Sequence, residues 1–134
     1  MTIRQINEIC KNTFISHLEI EFLDYGKDYV LASMPVNEKK HQPNSILHGG
    51  ASLALAETVA GAGSMLLIDN ENFDVLGLQV TGNHLAAIRK GVVYARAEIV
   101  HQGQSTHVWD VKITDEQGKL ISVARVTNII KEKA

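Results

Sequence analysis

Apolar residues keep a helical period at the start of this chain, then alternate, then run almost unbroken, then alternate again. Ile3, Ile6, Ile9 and Cys10 recur at helical spacing and predict a short N-terminal helix. Residues 18–22 alternate and predict a half-buried strand; a turn around Gly26 leads into a second strand over 29–34. After a polar loop at 37–42, residues 51–68 carry a single charge, Glu57, and predict a long helix closed by the polar stretch 69–72. Residues 75–81 are apolar almost throughout and predict a strand buried on both faces. Residues 83–90 read as a loop. Three strands then follow over 92–100, 107–114 and 120–130, separated by turns at 101–105 and 115–118. The alternation points Val93, Ala95, Ala97 and Ile99 to one side of the first of these, and Trp109, Val111 and Ile113 to the inner side of the second.

Two strands, one long helix and four strands in that order predict an α+β fold. The tight turns between the later strands make the sheet mainly antiparallel. The one long helix is the only large element available to cover the sheet. The expected architecture is a curved sheet of about six strands wrapped around one central helix, in a single domain spanning residues 1–134. The other face of the sheet is left open, which predicts an oligomer.

The apolar run at 51–68 is long enough to cross a membrane. However, it is rich in Ala, Gly and Ser, lacks basic flanks and carries a carboxylate near its middle. A helix buried within the fold is the expectation. Net charge is −2 with no basic run or acidic tail, which argues against nucleic-acid and membrane-surface partners. The N-terminal residues lack the basic-then-apolar order of a secretory signal, and the single cysteine excludes an internal disulfide; a cytoplasmic protein is expected.

Chemistry concentrates in the segment from Gln42 to Ser64. Pro43, Asn44 and Ser45 make a turn, and the helix begins at Gly49-Gly50. A charge at Glu57, amid Leu53, Ala54, Ala60 and Gly61, is expensive without work or a partner, and the functional reading is favoured over that of a surface glutamate. His48 stands where backbone N–H groups are free to bind developing negative charge. Nine residues of helix separate the two, roughly 13 Å, so they cannot act together on one bond within one chain. Two antiparallel copies of the helix could bring His48 of one chain near Glu57 of the other. A serine hydrolase lacks Gly-x-Ser-x-Gly, and the six histidines show no metal-ligand spacing. His84, after a strand, reads more simply as structural. Arg89-Lys90-Gly91 and residues 102–106 read as solvated loops that also hold donors suited to phosphates.

The stretch His48-Gly-Gly-Ala-Ser-Leu-Ala-Leu-Ala-Glu57 closely resembles the helix motif of hotdog-fold acyl-CoA thioesterases. It is most similar to the branch holding the glutamate-type 4-hydroxybenzoyl-CoA, 1,4-dihydroxy-2-naphthoyl-CoA and enterobactin-proofreading thioesterases. Gln42-Pro43, Val75-Leu-Gly-Leu78, Asn83-His84, Arg89-Lys-Gly91 and Val108-Trp109 stand in family-like order over residues 18–130. The resemblance implies hydrolysis of an aromatic or short- to medium-chain acyl-CoA. Glu57 would be nucleophile or general base, and the Gly49 N–H the oxyanion donor, with His48 and Gln42 positioning the carbonyl and leaving group. It further implies that His84, Arg89 and Gly103, Ser105 and Thr106 hold CoA, and that the small Gly61 and Ser64 shape the acyl pocket. No metal or cofactor is implied beyond the CoA of the substrate, and the expected assembly is a homodimer with shared sites, extended to a homotetramer. One departure is Gly61, where the family often has Ser or Thr. Two alternatives are a hotdog dehydratase, whose proline-rich lead into the helix is not matched by Ile46-Leu-His-Gly-Gly, and a non-catalytic acyl-CoA sensor, for whose added DNA-binding segment the N-terminus has no room.

Overall fold

A computed structural model describes all 134 residues. Helices α1 (Ile3–Ile9) and α2 (Phe14–His17) come first, then strands β1 (Glu21–Tyr25) and β2 (Tyr29–Val36). A 3-10 turn at Glu38–Lys40 leads to the long helix α3 (Gly49–Leu67). Strands β3 (Phe73–His84), β4 (Gly91–Gln102), β5 (Thr106–Thr114) and β6 (Leu120–Glu132) complete the chain. The six strands form one antiparallel sheet in the order β1-β2-β4-β5-β6-β3, and α3 lies across its concave face. This is the hotdog architecture.

Two threonines fix the N-terminal helices. Thr2 and Thr13 each cap a helix through a reciprocal box, with Gln5 and Ser16 as the returning partners. The second of these helices breaks the expected strand at 18–22. Leu18 ends α2, Glu19 adopts a left-handed conformation at φ 62°, and β1 starts only at Glu21. Leu18, Ile20 and Phe22 remain buried as the alternation requires, although the first two precede the strand. The Glu19 carboxylate, pulled down to about 2 by hydrogen bonds from Asn37, Lys40 and Lys39, holds the buried Lys40 ammonium at 3.0 Å. Lys40 in turn accepts the His48 N–H at its carbonyl, so this clamp sets where α3 begins.

Helix α3 packs its small residues toward the sheet. Leu55, Ala56, Val59, Ala60 and Gly63 are buried against Val30, Ala32 and Met34 of β2, Val93, Ala95 and Ala97 of β4, and Trp109, Val111 and Ile113 of β5. A Cβ on Gly63 would stand 2.6 Å from the Trp109 ring, so only glycine lets the helix come this close. The same helix is long and apolar enough to cross a membrane by length and composition, and here it is the core helix of the sheet.

One expectation is corrected. Strand β3 is not buried on both faces. It is the edge of the sheet, paired only to β6, with Leu76 and Leu78 49% and 61% exposed. Both faces of β3 are largely open within this chain. The open face of the sheet, expected to meet a partner, is charged. It carries the Arg125–Asp110 ion pair and Arg96, which lies 4.2 Å over the Tyr29 ring and 3.4 Å from Glu98.

Candidate active site

At the N-terminal end of α3, His48 is the cap. Its Nδ1 accepts the Gly50 N–H at 2.8 Å, which leaves Nε2 to carry the proton of the neutral ring. The Gly49 N–H has no acceptor in the chain, as the first turn of a helix dictates. His84, at the end of β3, packs directly on this residue: a Cβ on Gly49 would lie 2.5 Å from its Nε2. The His84 ring is held from behind by Ser122, with Nδ1 2.9 Å from Oγ. Gln42 closes the other side, its Oε1 accepting the Asn44 N–H. Gly49, His84, Gln42 and Ser52 line a pocket of about 330 Å³. A free backbone donor, a neighbouring imidazole and a side-chain amide thus converge where a carbonyl oxygen could be held.

Arg89 stands near this end, and its guanidinium is engaged. Nη1 donates to the Asn44 carbonyl at 2.9 Å, and the Arg89 carbonyl lies 2.8 Å from His41 Nε2. The residue therefore pins the turn that carries Gln42.

Glu57 lies toward the middle of α3, on a face that the chain leaves exposed rather than within the buried side of the helix. Its carboxylate rests on Gly77 of β3, where a Cβ would come 3.3 Å from Oε1. Here it lines a mostly apolar pocket of about 300 Å³ between α3, β3 and the N-terminal helices. Gly61 faces open space in the same pocket, and Ile6, Ile15 and Phe22 supply apolar wall. Cys10 also lines it, but burial pushes its thiol up, which keeps it protonated and weakly nucleophilic.

The site residues therefore fall into separate groups. Glu57 and Gly61 share one pocket; Gly49, Gln42 and His84 share another; His48 opens onto a third beside Lys40 and Ala51. Arg89 precedes β4, whereas the turn holding Gly103, Ser105 and Thr106 follows it. The 12 residues of β4 put roughly 36 Å between them, too far for one chain to use both on one nucleotide. That turn is fastened by Gly103 N–H to the Thr106 carbonyl and by Ile130 N–H to the Ser105 carbonyl.

Ser64 is a second correction, since it does not line the pocket beside Glu57. It is fully buried and is the hub of a polar network. Its Oγ accepts from Trp109 Nε1 at 2.9 Å and from Asn128 Nδ2 at 3.1 Å. With both lone pairs used, its hydroxyl hydrogen goes to His107 Nδ1, 2.9 Å away. Burial, with the nearby His101 charge second, pushes the His107 pKa down and keeps the ring neutral. Sequence reading missed His107 and Asn128. Their one signal is a polar residue on the inner side of an otherwise apolar alternation. No group of three or more His, Cys, Asp or Glu is placed to hold a metal ion.

The hotdog fold and the family it matches make this chain a thioester hydrolase. The thioesterase superfamily model matches residues 44–122, and the chain belongs to that family. It is 43% identical over 114 residues to the 1,4-dihydroxy-2-naphthoyl-CoA hydrolase of Listeria monocytogenes, covering 85% of this chain and 92% of that one. To the enzyme of the same name from Escherichia coli it is 34% identical over 130 residues, covering 97% and 95%. Among solved structures it superimposes on a mutant thioesterase of Pseudomonas aeruginosa with a TM-score of 0.97 at 37% identity, covering 99% and 96%.

Proposed function

We propose that this thioester hydrolase acts on acyl-CoA and that Glu57 is its nucleophile or general base. The observation that carries the reading is the split of the site. A carboxylate lies against one end of β3 and an unpartnered oxyanion donor, Gly49 N–H, beside the other, within a fold whose family cleaves thioesters. The acyl carbonyl lies between them when two chains meet along their β3 edges with the α3 helices antiparallel. One chain then supplies Glu57, Gly61 and the Gly103–Thr106 turn, and its partner supplies Gly49, His48, Gln42, His84 and Arg89. This division also resolves the roughly 36 Å between the two phosphate-binding candidates of one chain, because each serves a different half of the same substrate. The exposed Leu76 and Leu78 give the edge a reason to pair. Pairing of two such dimers into a tetramer would use the charged outer faces. On this reading the reaction uses no cofactor besides the CoA of the substrate, and an acyl-CoA substrate supports a cytoplasmic setting. The resemblance to 1,4-dihydroxy-2-naphthoyl-CoA hydrolases favours an aromatic acyl group.

The test is release of CoA, followed with a thiol reagent, from benzoyl-, naphthoyl- and straight-chain acyl-CoA. We expect turnover, and a fall of on the order of 10²-fold or more in kcat for Glu57→Gln. Full activity in a folded Glu57→Gln protein would remove that residue from the mechanism.

A further inference from the structure

We propose that Asn128 reads the acyl group, and that its amide oxygen selects acyl groups bearing a hydroxyl. The inference rests on the reading that Glu57 works on acyl-CoA, and it concerns the pocket beside that carboxylate.

Asn128 is 1% exposed, on the inner face of β6, opposite Gly77 in the pairing with β3. Its Nδ2 donates to the Ala60 carbonyl at 3.3 Å and to Ser64 Oγ at 3.1 Å. A carbonyl oxygen can only accept, so the amide orientation is fixed by its partner. Both amide hydrogens are spent on α3. Oδ1, in contrast, accepts from no group of the chain. No buried side-chain polar atom lacks a partner, so the residue's remaining exposure falls on this oxygen. Asn128 lines the Glu57 pocket, which is apolar over most of its wall.

The gap that exposes Oδ1 comes from two missing side chains. Gly61 has nothing within 4 Å of where its Cβ would be, and Gly77 leaves room taken only by Glu57. An acyl group entering this space excludes solvent from Oδ1. A purely apolar group then strands a desolvated acceptor, whereas a hydroxyl restores the hydrogen bond. Thr58 also lines the pocket, but its hydroxyl can rotate to donate or accept and favours neither kind of acyl group. Apart from the carboxylate of Glu57, which is committed to the thioester, Oδ1 is the acceptor-only side-chain atom of this wall. The Ser64, Trp109 and His107 network behind it has no contact with the pocket and holds the amide in register.

The experiment compares kcat/KM for benzoyl-CoA with its 2-, 3- and 4-hydroxy and matching methoxy derivatives, in the wild-type protein and in Asn128→Leu. We expect at least one hydroxy isomer to be preferred over benzoyl and over its own methyl ether by about tenfold. In Asn128→Leu the preference should vanish while benzoyl-CoA is still hydrolysed. Equal turnover of hydroxy, methoxy and plain substrates by the wild type overturns the proposal, and does so even if Asn128→Leu fails to fold. A preference that survives in the variant, or an equal loss on every substrate, overturns it too. Failure of the wild type to hydrolyse any acyl-CoA instead overturns the functional reading beneath it.

Discussion

Glu57 reaches its place because residue 77 has no side chain. The carboxylate lies so close to Gly77 that even one methyl group would press on it, and a branched side chain would occupy its position. Gly77→Val should therefore displace the carboxylate while suiting a β-strand. We expect kcat to fall by about 10²-fold, as a misplaced catalytic group does, with the melting temperature nearly unchanged. Unaltered kcat in this variant would mean that the carboxylate does not act from where it lies. His107 gives a second prediction at this scale. Its folded-state pKa lies below the ordinary 6.5, because burial disfavours the imidazolium. Below 6.5 the unfolded chain takes up a proton that the native chain refuses. Stability is thus full above that pH and declines as pH falls through the window from 6.5 toward the native value. Denaturant midpoints measured from pH 8 to 5 should fall on the acid side, and His107→Gln, which cannot titrate, should show a flatter slope. An identical slope in both proteins counts against a neutral buried ring.

At the scale of elements, much was legible in the sequence. The alternation in β4 and β5 places Val93, Ala95, Ala97, Trp109, Val111 and Ile113 inward, and all six are buried. The apolar run and its Gly49-Gly50 start mark α3 to within a residue or two. Less legible was whatever depends on neighbours far along the chain. Apolar residues in β3 read alike whether a second sheet partner comes from the same chain or another, so its edge position was missed. A serine in an apolar helix reads alike whether it faces a pocket or a buried histidine, so Ser64 was misassigned. The left-handed Glu19 that delays β1 is stabilised by Lys40 and Asn37, which no local pattern links to it. The β3 edge yields its own prediction. Leu78 lies at the bulge of β3 and is mostly exposed in one chain. A lysine there is harmless on a free edge but costly on a paired one. Leu78→Lys should shift the protein toward monomer in analytical ultracentrifugation and lower activity in proportion. An unchanged assembly would show that this edge is free.

For the whole molecule, Glu57 and His48 can act on one thioester only if two chains share each site. The separation of Glu57 from the helix start is set by the rise of α3 and cannot be closed by side-chain motion. The pocket beside Glu57 and the pocket beside Gly49 are distinct within one chain. The most direct test mixes two inactive proteins, Glu57→Ala and His48→Ala, under conditions that exchange subunits. In a mixed dimer one site carries both lesions and the other carries neither. If chains share sites as proposed, activity returns to about a quarter of the wild-type level at equal mixing, by statistical pairing. If each chain carries a complete site, every site keeps one lesion, and the mixture stays inactive despite verified exchange.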